Sequence, residues 1–343
     1  MRCLLRALRH SALWMGAAMC LVFGPPASLL AAQYTAQLKL VSTAWPPFTN
    51  PPGRPRFALD LVEEALNRIG VSATSTIVSP AQFTLSLLSG QFDGSAAAWR
   101  DSERERALIF SQPYLENRLV LVGRFGVDVS AGALADLAGK RVAIVEGYSY
   151  GEAIDRAGPI FVRSTSEEDG LSQLLKGAVD YVLMDELVVH YIVSRYPDES
   201  GARLQIGSKA LFTRELHFAI ARAREDAESI VAGFNAQLRG MLADRTYHRL
   251  LQVDWIRGDI DGDGVPEYVP LNERLGPTEP QHIYALFSPP APETAPDAAV
   301  KPGFYLGGTI YSDWASVPES YKDVNPHPPD SRRSTASIFE FTW

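Results

Sequence analysis

The chain has 343 residues, 46% of them hydrophobic, with 32 Lys and Arg against 40 Asp and Glu. That is enough apolar material for one or two packed domains. The net charge of −8 argues against a nucleic-acid-binding protein. Its two cysteines, Cys3 and Cys20, both fall in the opening segment, so no disulfide, thiolate nucleophile or cysteine metal site is expected beyond it.

That opening segment, 1–32, runs basic ("MRCLLRALRH"), apolar ("SALWMGAAMCLVFG") and small ("ASLLAA"), the order of a secretory signal cut near Ala32. Met19 stands where a lipid-attachment signal at Cys20 needs a small residue. Removing the segment takes away three arginines and leaves an acidic, exported, soluble chain without cysteine.

"QLKLVST" then alternates as a strand, and "RFALDLVEEALNRIG" spaces Ala58, Val62, Ala65 and Ile69 as a helix closed by Gly70. "TSTIVS" is a second strand. "SPAQFTLSLLSG" is a helix with Ser79 as cap and Pro80 at its first position, and "FDGSAAA" is a third strand. In "WRDSERERALIFSQPY", Ser102 and Glu105 have the spacing of a capping box. After "RLVLVGR" the alternation resumes. "GKRVAIVEG", "PIFVRSTS" and "AVDYVLMD" read as strands, and "YGEAIDRAG", "EEDGLSQLLKG" and "ELVVHYIVSRY" as helices. "ELHFAIAR" is one more strand, and two helices follow across 225–255.

Alternating strands and helices imply an α/β fold with mostly parallel sheets. It divides into two lobes: 33–116 with 214–255, and 117–213. The remainder is a 256–287 extension, a Pro/Ala/acidic linker over 288–303, and a 304–343 tail whose aromatic stretches suit packed strands.

Ligands of open α/β sheets bind beyond the carboxyl ends of the strands. Trp45, Trp99, Arg104, Ser149 and Asp185 all fall there, drawn from both lobes. A guanidinium for a carboxylate, a carboxylate for an ammonium, a hydroxyl and indole faces suit a small zwitterion. The same stretches resemble the family 3 extracellular solute-binding proteins, the polar amino-acid receptors of ABC importers. "STAWPPFTN", "LLSGQFDGSAAAWRDSERERALIFSQPYLENRLVLVGR", "LADLAGKRVAIVEGYSYG" and "LLKGAVDYVLMDE" carry the resemblance, in order, over about 37–255.

The resemblance implies a type II periplasmic-binding fold: two lobes joined by two hinge crossings, monomeric, delivering its ligand to an inner-membrane permease. It implies that Arg104 takes the ligand carboxylate, Asp185 the ammonium, Trp45 the stacking face and Ser149 the second-lobe hydroxyl. Ser42, Trp99 and Tyr148 depart from the family pattern, which puts the ligand's side chain in question.

"DIDGDGVPE" places Asp259, Asp261 and Asp263 at positions 1, 3 and 5 of a calcium loop, Gly264 at 6 and Glu267 at 9. Pro270 stands where an EF-hand needs its bidentate glutamate, so either a structural calcium or a plain Asp/Gly turn fits. No cofactor is required. An enzyme on this scaffold, a cyclic-carboxylate dehydratase, would need a cleft acid, for which Glu146 and Glu152 are the candidates. A ligand-sensing receptor subunit is the other alternative. His217 lies on an alternating apolar strand and reads as packed.

Overall fold

The computed structural model describes residues 37–151, 154, 158–195, 203–274, 284–285 and 303–322. The expected signal segment, most of the 150–158 helix and nearly all of the Pro-rich linker lie outside them, as do Glu152 and the terminal "SIFEFTW". Among the described residues no helix is long and apolar enough to cross a membrane.

The first lobe is built on β1 (Gln37–Thr43), β2 (Ser72–Val78) and β3 (Gly94–Trp99), with β1 parallel to both others. The crossovers are α1 (Phe57–Arg68) and α2 (Pro80–Leu88), each ending where Gly70 or Gly90 takes a positive φ. α1 buries Ala58, Val62 and Ala65 of the expected stripe together with Phe57, Leu59, Leu61 and Leu66, while Ile69 falls at its C-cap and is half-buried. A short α3 (Arg104–Ala107) leads into β4 (Leu108–Phe110).

The second lobe holds β6 (Arg141–Val145), β7 (Ile160–Ser164) and β8 (Tyr181–Asp185), mutually parallel through β6, with helices α4 (Glu167–Leu175) and α5 (Glu186–Arg195). Two long strands join the lobes. β5 (Leu115–Arg124) pairs antiparallel with β8 and with the first part of β9 (Leu204–Ala221), whose last residues pair with β3 and β4. The sheet order is therefore β2-β1-β3-β9-β5-β8-β6-β7, with β4 on β9. This is a two-lobed type II arrangement, with the two shared strands at the hinge.

β9 begins eleven residues before the "ELHFAIAR" stretch. Its first half, "LQIGSKALFTR", carries Gly207 and Lys209 and lacks alternation, so only its partner β5 reveals it as strand. α6 (Ala227–Ala243) and α7 (Thr246–Leu251) return the chain to the first lobe, where α6 packs on α1.

The residues beyond differ from a separate extension and tail. β10 (Trp255–Gly258), β11 (Glu267–Pro270), β12 (Tyr284–Ala285), β13 (Phe304–Leu306) and β14 (Thr309–Tyr311) form one sheet in the order β12-β10-β11-β13-β14. Phe304, Leu306 and Val317 are its buried centre, with Trp255, Tyr268 and Trp314 packed on them.

Candidate functional site

Thr43 ends β1 and Trp45 follows it, Ala97 and Trp99 lie on β3, Arg104 opens α3, and Tyr148 and Ser149 follow β6. These side chains, with Phe83 and Leu216, line a narrow pocket between the lobes that opens to solvent. Trp45, Trp99, Arg104 and Ser149 thus converge from strand ends far apart in sequence.

Arg104 is 3% exposed. Its Nη1 donates to the Trp99 carbonyl at 3.1 Å and its Nη2 to Thr84 Oγ1 at 3.0 Å, and the guanidinium lies 5.3 Å from the Phe83 ring centre. Asp101 Oδ2 stands 3.4 Å from Nε, yet Nε is buried without a hydrogen-bond partner. Burial lowers the guanidinium's pKa; Asp101 opposes this, and Arg214 adds to it. The result is a dry cation with hydrogen-bonding capacity left over. The backbone around it is fixed by Asp101, whose Oδ1 accepts from Arg104 N at 2.8 Å. Ser102 and Glu105 do not form the expected capping box: the N-cap position falls to Glu103 without a side-chain cap bond, Asp101 Oδ1 takes the Arg104 N–H, and Glu105 is drawn to Arg100 Nε.

The aromatic walls interlock. Trp45 meets Trp99 edge-on at 5.6 Å, and Tyr148 packs at 5.8 Å from Trp45 and 5.7 Å from Trp99. Because Tyr148 belongs to the second lobe, these contacts close the cleft. Burial, and then the nearby Glu167, raise the Tyr148 phenol above the ordinary tyrosine range. Next to it, Gly147 (φ +83°) approaches so near the first lobe that an added Cβ would lie 2.6 Å from the Pro80 carbonyl oxygen.

Asp185 is not among the cavity-lining residues. It is 1% exposed, and its Oδ1 accepts from Leu187 N and Val188 N at 2.8 and 3.4 Å, capping α5. Its Oδ2 accepts from Asn117 Nδ2 and Arg118 N, both at 3.1 Å. Burial pushes the carboxyl up to about 7 against those donors. Its reach to the cavity is indirect: Asn117 Oδ1 accepts from Trp99 Nε1 at 2.7 Å. Sequence reasoning passed over Asn117, a buried amide interrupting an apolar strand, which was the available signal.

It also passed over Glu167, which reads as an ordinary acid in a helix's first turn. Glu167 is buried, and desolvation, then Asp185 and Glu168, push it up to about 8. The Trp45 indole pulls it partly back, although Trp45 Nε1 and Glu167 Oε2 do not close to hydrogen-bonding geometry. Arg214 is the second guanidinium nearby, 5.7 Å from the Trp99 ring centre, its Nε also buried and without a hydrogen-bond partner. Glu146 is exposed and does not line the cavity. His217 is packed, its Nδ1 2.8 Å from the Ser111 carbonyl.

In the C-terminal sheet, carboxylate oxygens of Asp259, Asp261 and Glu267 lie within 4.8 Å of one another. Asp263 is outside this group, and its Oδ1 accepts from Val265 N at 2.7 Å. Glu267 is 3% exposed, and burial, together with the three aspartates, pushes it up to about 7. Three clustered carboxylates are a donor set suited to a hard cation.

Comparison with known proteins agrees with this architecture. The model of the bacterial extracellular solute-binding proteins, family 3, matches residues 40–257. Virulence sensor protein BvgS of Bordetella pertussis is 28% identical over 162 residues, and that of Bordetella bronchiseptica 30% over 165. Each alignment covers 47% of this chain, and the chain spans only 12% of those relatives' length. A mutant of ArgBP from T. maritima is 26% identical with a TM-score of 0.52, covering 63% of this chain and 94% of that one. The GluR0 ligand-binding core from Nostoc punctiforme, in complex with L-glutamate, shares the fold at 19% identity and a TM-score of 0.52, over 63% of this chain and 97% of that one. With a family match over most of its length and two lobes hinged on a pair of shared strands, the chain belongs to the bacterial extracellular solute-binding proteins of family 3.

Proposed function

We propose that this protein is an exported, periplasmic receptor that captures an amino acid or similar small carboxylate between its lobes and catalyses no reaction. One observation carries the reading: a buried Arg104 guanidinium whose Nε has an ion-pair neighbour in Asp101 but no hydrogen bond, in a cavity walled by both lobes. A carboxylate there gains charge-assisted hydrogen bonds in a dry site and is enclosed by indole and phenol faces. Because contacts come from both lobes, the ligand favours the closed form, and closure is what a membrane partner reads. The partner in this reading is an inner-membrane ABC permease. Similarity to a virulence sensor supports a second reading, in which the closed form is presented to a signalling protein.

Calorimetric titration with a panel of amino acids and small carboxylates tests the reading. Saturable binding that Arg104→Ala abolishes is expected. Saturable binding that survives in Arg104→Ala would move the ligand elsewhere, and chemical conversion of the ligand would make the protein an enzyme. Calcium held by Asp259, Asp261 and Glu267 completes the proposal, as a structural ion distant from the ligand in sequence.

A further inference from the structure

We infer that the cavity selects a small carboxylate without an α-ammonium group over the matching α-amino acid. This rests on the reading that the cavity is the ligand site. Three observations on its charged and polar groups carry it.

First, the described residues lining the cavity present one guanidinium, two hydroxyls, a phenol and two indoles, but no carboxylate. An ammonium needs an anionic or strongly accepting partner, and burying it without one is costly. Second, the carboxylate that would serve, Asp185, is committed. Two helix N–H groups hold one oxygen, and Asn117 and the Arg118 N–H hold the other. Asn117 in turn receives the Trp99 indole N–H, so Trp99 closes this network toward the cavity. Freeing Asp185 for a ligand would uncap α5 and orphan buried donors.

Third, the field around the cavity is cationic. Arg214 lies against the Trp99 face and is close enough to Arg104 to lower its pKa. Asp101, their common acidic neighbour, contacts Arg104 Nε but does not line the cavity. Glu167, facing Trp45 from the second lobe, is held largely protonated near neutral pH by its burial and by Asp185. An anion is therefore welcomed, whereas an ammonium on the same carbon meets guanidinium groups and neutral hydroxyls. What remains for the rest of the ligand is apolar: Phe83, Leu216, Ala97 and the indole walls.

The test is calorimetric titration of matched pairs at pH 7: propionate against L-alanine, valerate against L-norvaline, and 3-phenylpropionate against L-phenylalanine. In at least one pair the des-amino acid is expected to bind at least tenfold more tightly, and Arg104→Ala to remove the binding. Thr43→Asp, which adds a carboxylate to the lining, is expected to shift the ratio toward the amino acid by tenfold or more. Asp185→Asn should leave the ratio unchanged, whatever it does to stability. Equal or tighter binding of the amino acids would overturn the inference and leave the receptor reading standing. So would a ratio that moves with Asp185→Asn but not with Thr43→Asp. Binding of neither member of any pair, alongside saturable binding of some ligand lacking a carboxylate, would overturn both.

Discussion

Replacing Gly147 by alanine separates closure from folding. At φ +83° the new Cβ would lie 2.6 Å from the Pro80 carbonyl oxygen and 3.2 Å from its carbon. Both are backbone atoms of the other lobe and cannot swing aside as a side chain could. Two costs follow. Left-handed backbone strain, about 1–2 kcal/mol, is present whether the lobes are open or closed, so it lowers the melting temperature without altering closure. Overpacking against Pro80, about 1–3 kcal/mol, exists only in the closed form. Affinity for a ligand that requires closure should therefore fall roughly 5- to 150-fold. Gly126→Ala is the control: its φ is +81°, with nothing within 4 Å of the added Cβ. Both variants should melt a few degrees below wild type, and only Gly147→Ala should bind weakly by calorimetry and scatter X-rays as a more open particle. Equal affinity in the two variants would refute the reasoning.

Arg104→Ala should cost about 3 kcal/mol of binding, roughly a hundredfold in Kd, and Arg104→Lys should recover only part, because an ammonium lacks the planar fork. Glu167 rises from 4.5 to about 8 on folding, so the folded state keeps a proton that the unfolded chain releases. Stability from this group is greatest at acid pH and declines as pH climbs from 4.5 toward 8. Accordingly, Glu167→Gln should melt above wild type at pH 8, with the gap closing toward pH 5; a gap that does not vary with pH would sink this account. Millimolar calcium should raise the melting temperature of wild type but not of Asp261→Asn, and Glu267 should release its extra proton when the ion binds. No calcium-dependent shift in wild type would reduce the loop to a turn.

Most of the lobe architecture was readable because each strand and helix announces itself locally: Ser79-Pro80 before α2, Gly70 after α1, apolar runs in β6 and β8. What escaped depends on partners remote in sequence. The first half of β9 is a strand only because β5 lies beside it, and its Gly and Lys residues hide it from any periodicity. The C-terminal sheet joins Trp255–Gly258 to Phe304–Leu306 through β11, a pairing no local pattern reports. At the site, residue type and strand-end position picked out Trp45, Trp99, Arg104 and Ser149, which the structure brings to the lining of one cavity. They could not show that Asp185 caps α5, because an aspartate after a strand reads the same whether it faces a ligand or a helix. Nor could they show that Asp101, not Ser102, takes the Arg104 N–H at the start of α3.

The paired indoles have a practical consequence of their own. Trp45 and Trp99 are each 5% exposed, their rings 5.6 Å apart and nearly perpendicular, with a guanidinium 5.7 Å from one of them. If the cavity takes a ligand as proposed, two coupled chromophores next to a cation should give an emission band and a near-ultraviolet circular dichroism that change on binding. Trp255 and Trp314, 6.0 Å apart in the C-terminal sheet, sit outside the cavity and supply a steady background. In the proposed receptor this pair would serve as an optical gauge of occupancy, and substituting Trp255, Trp314 and Trp343 with phenylalanine would remove the other tryptophans that follow the expected signal segment.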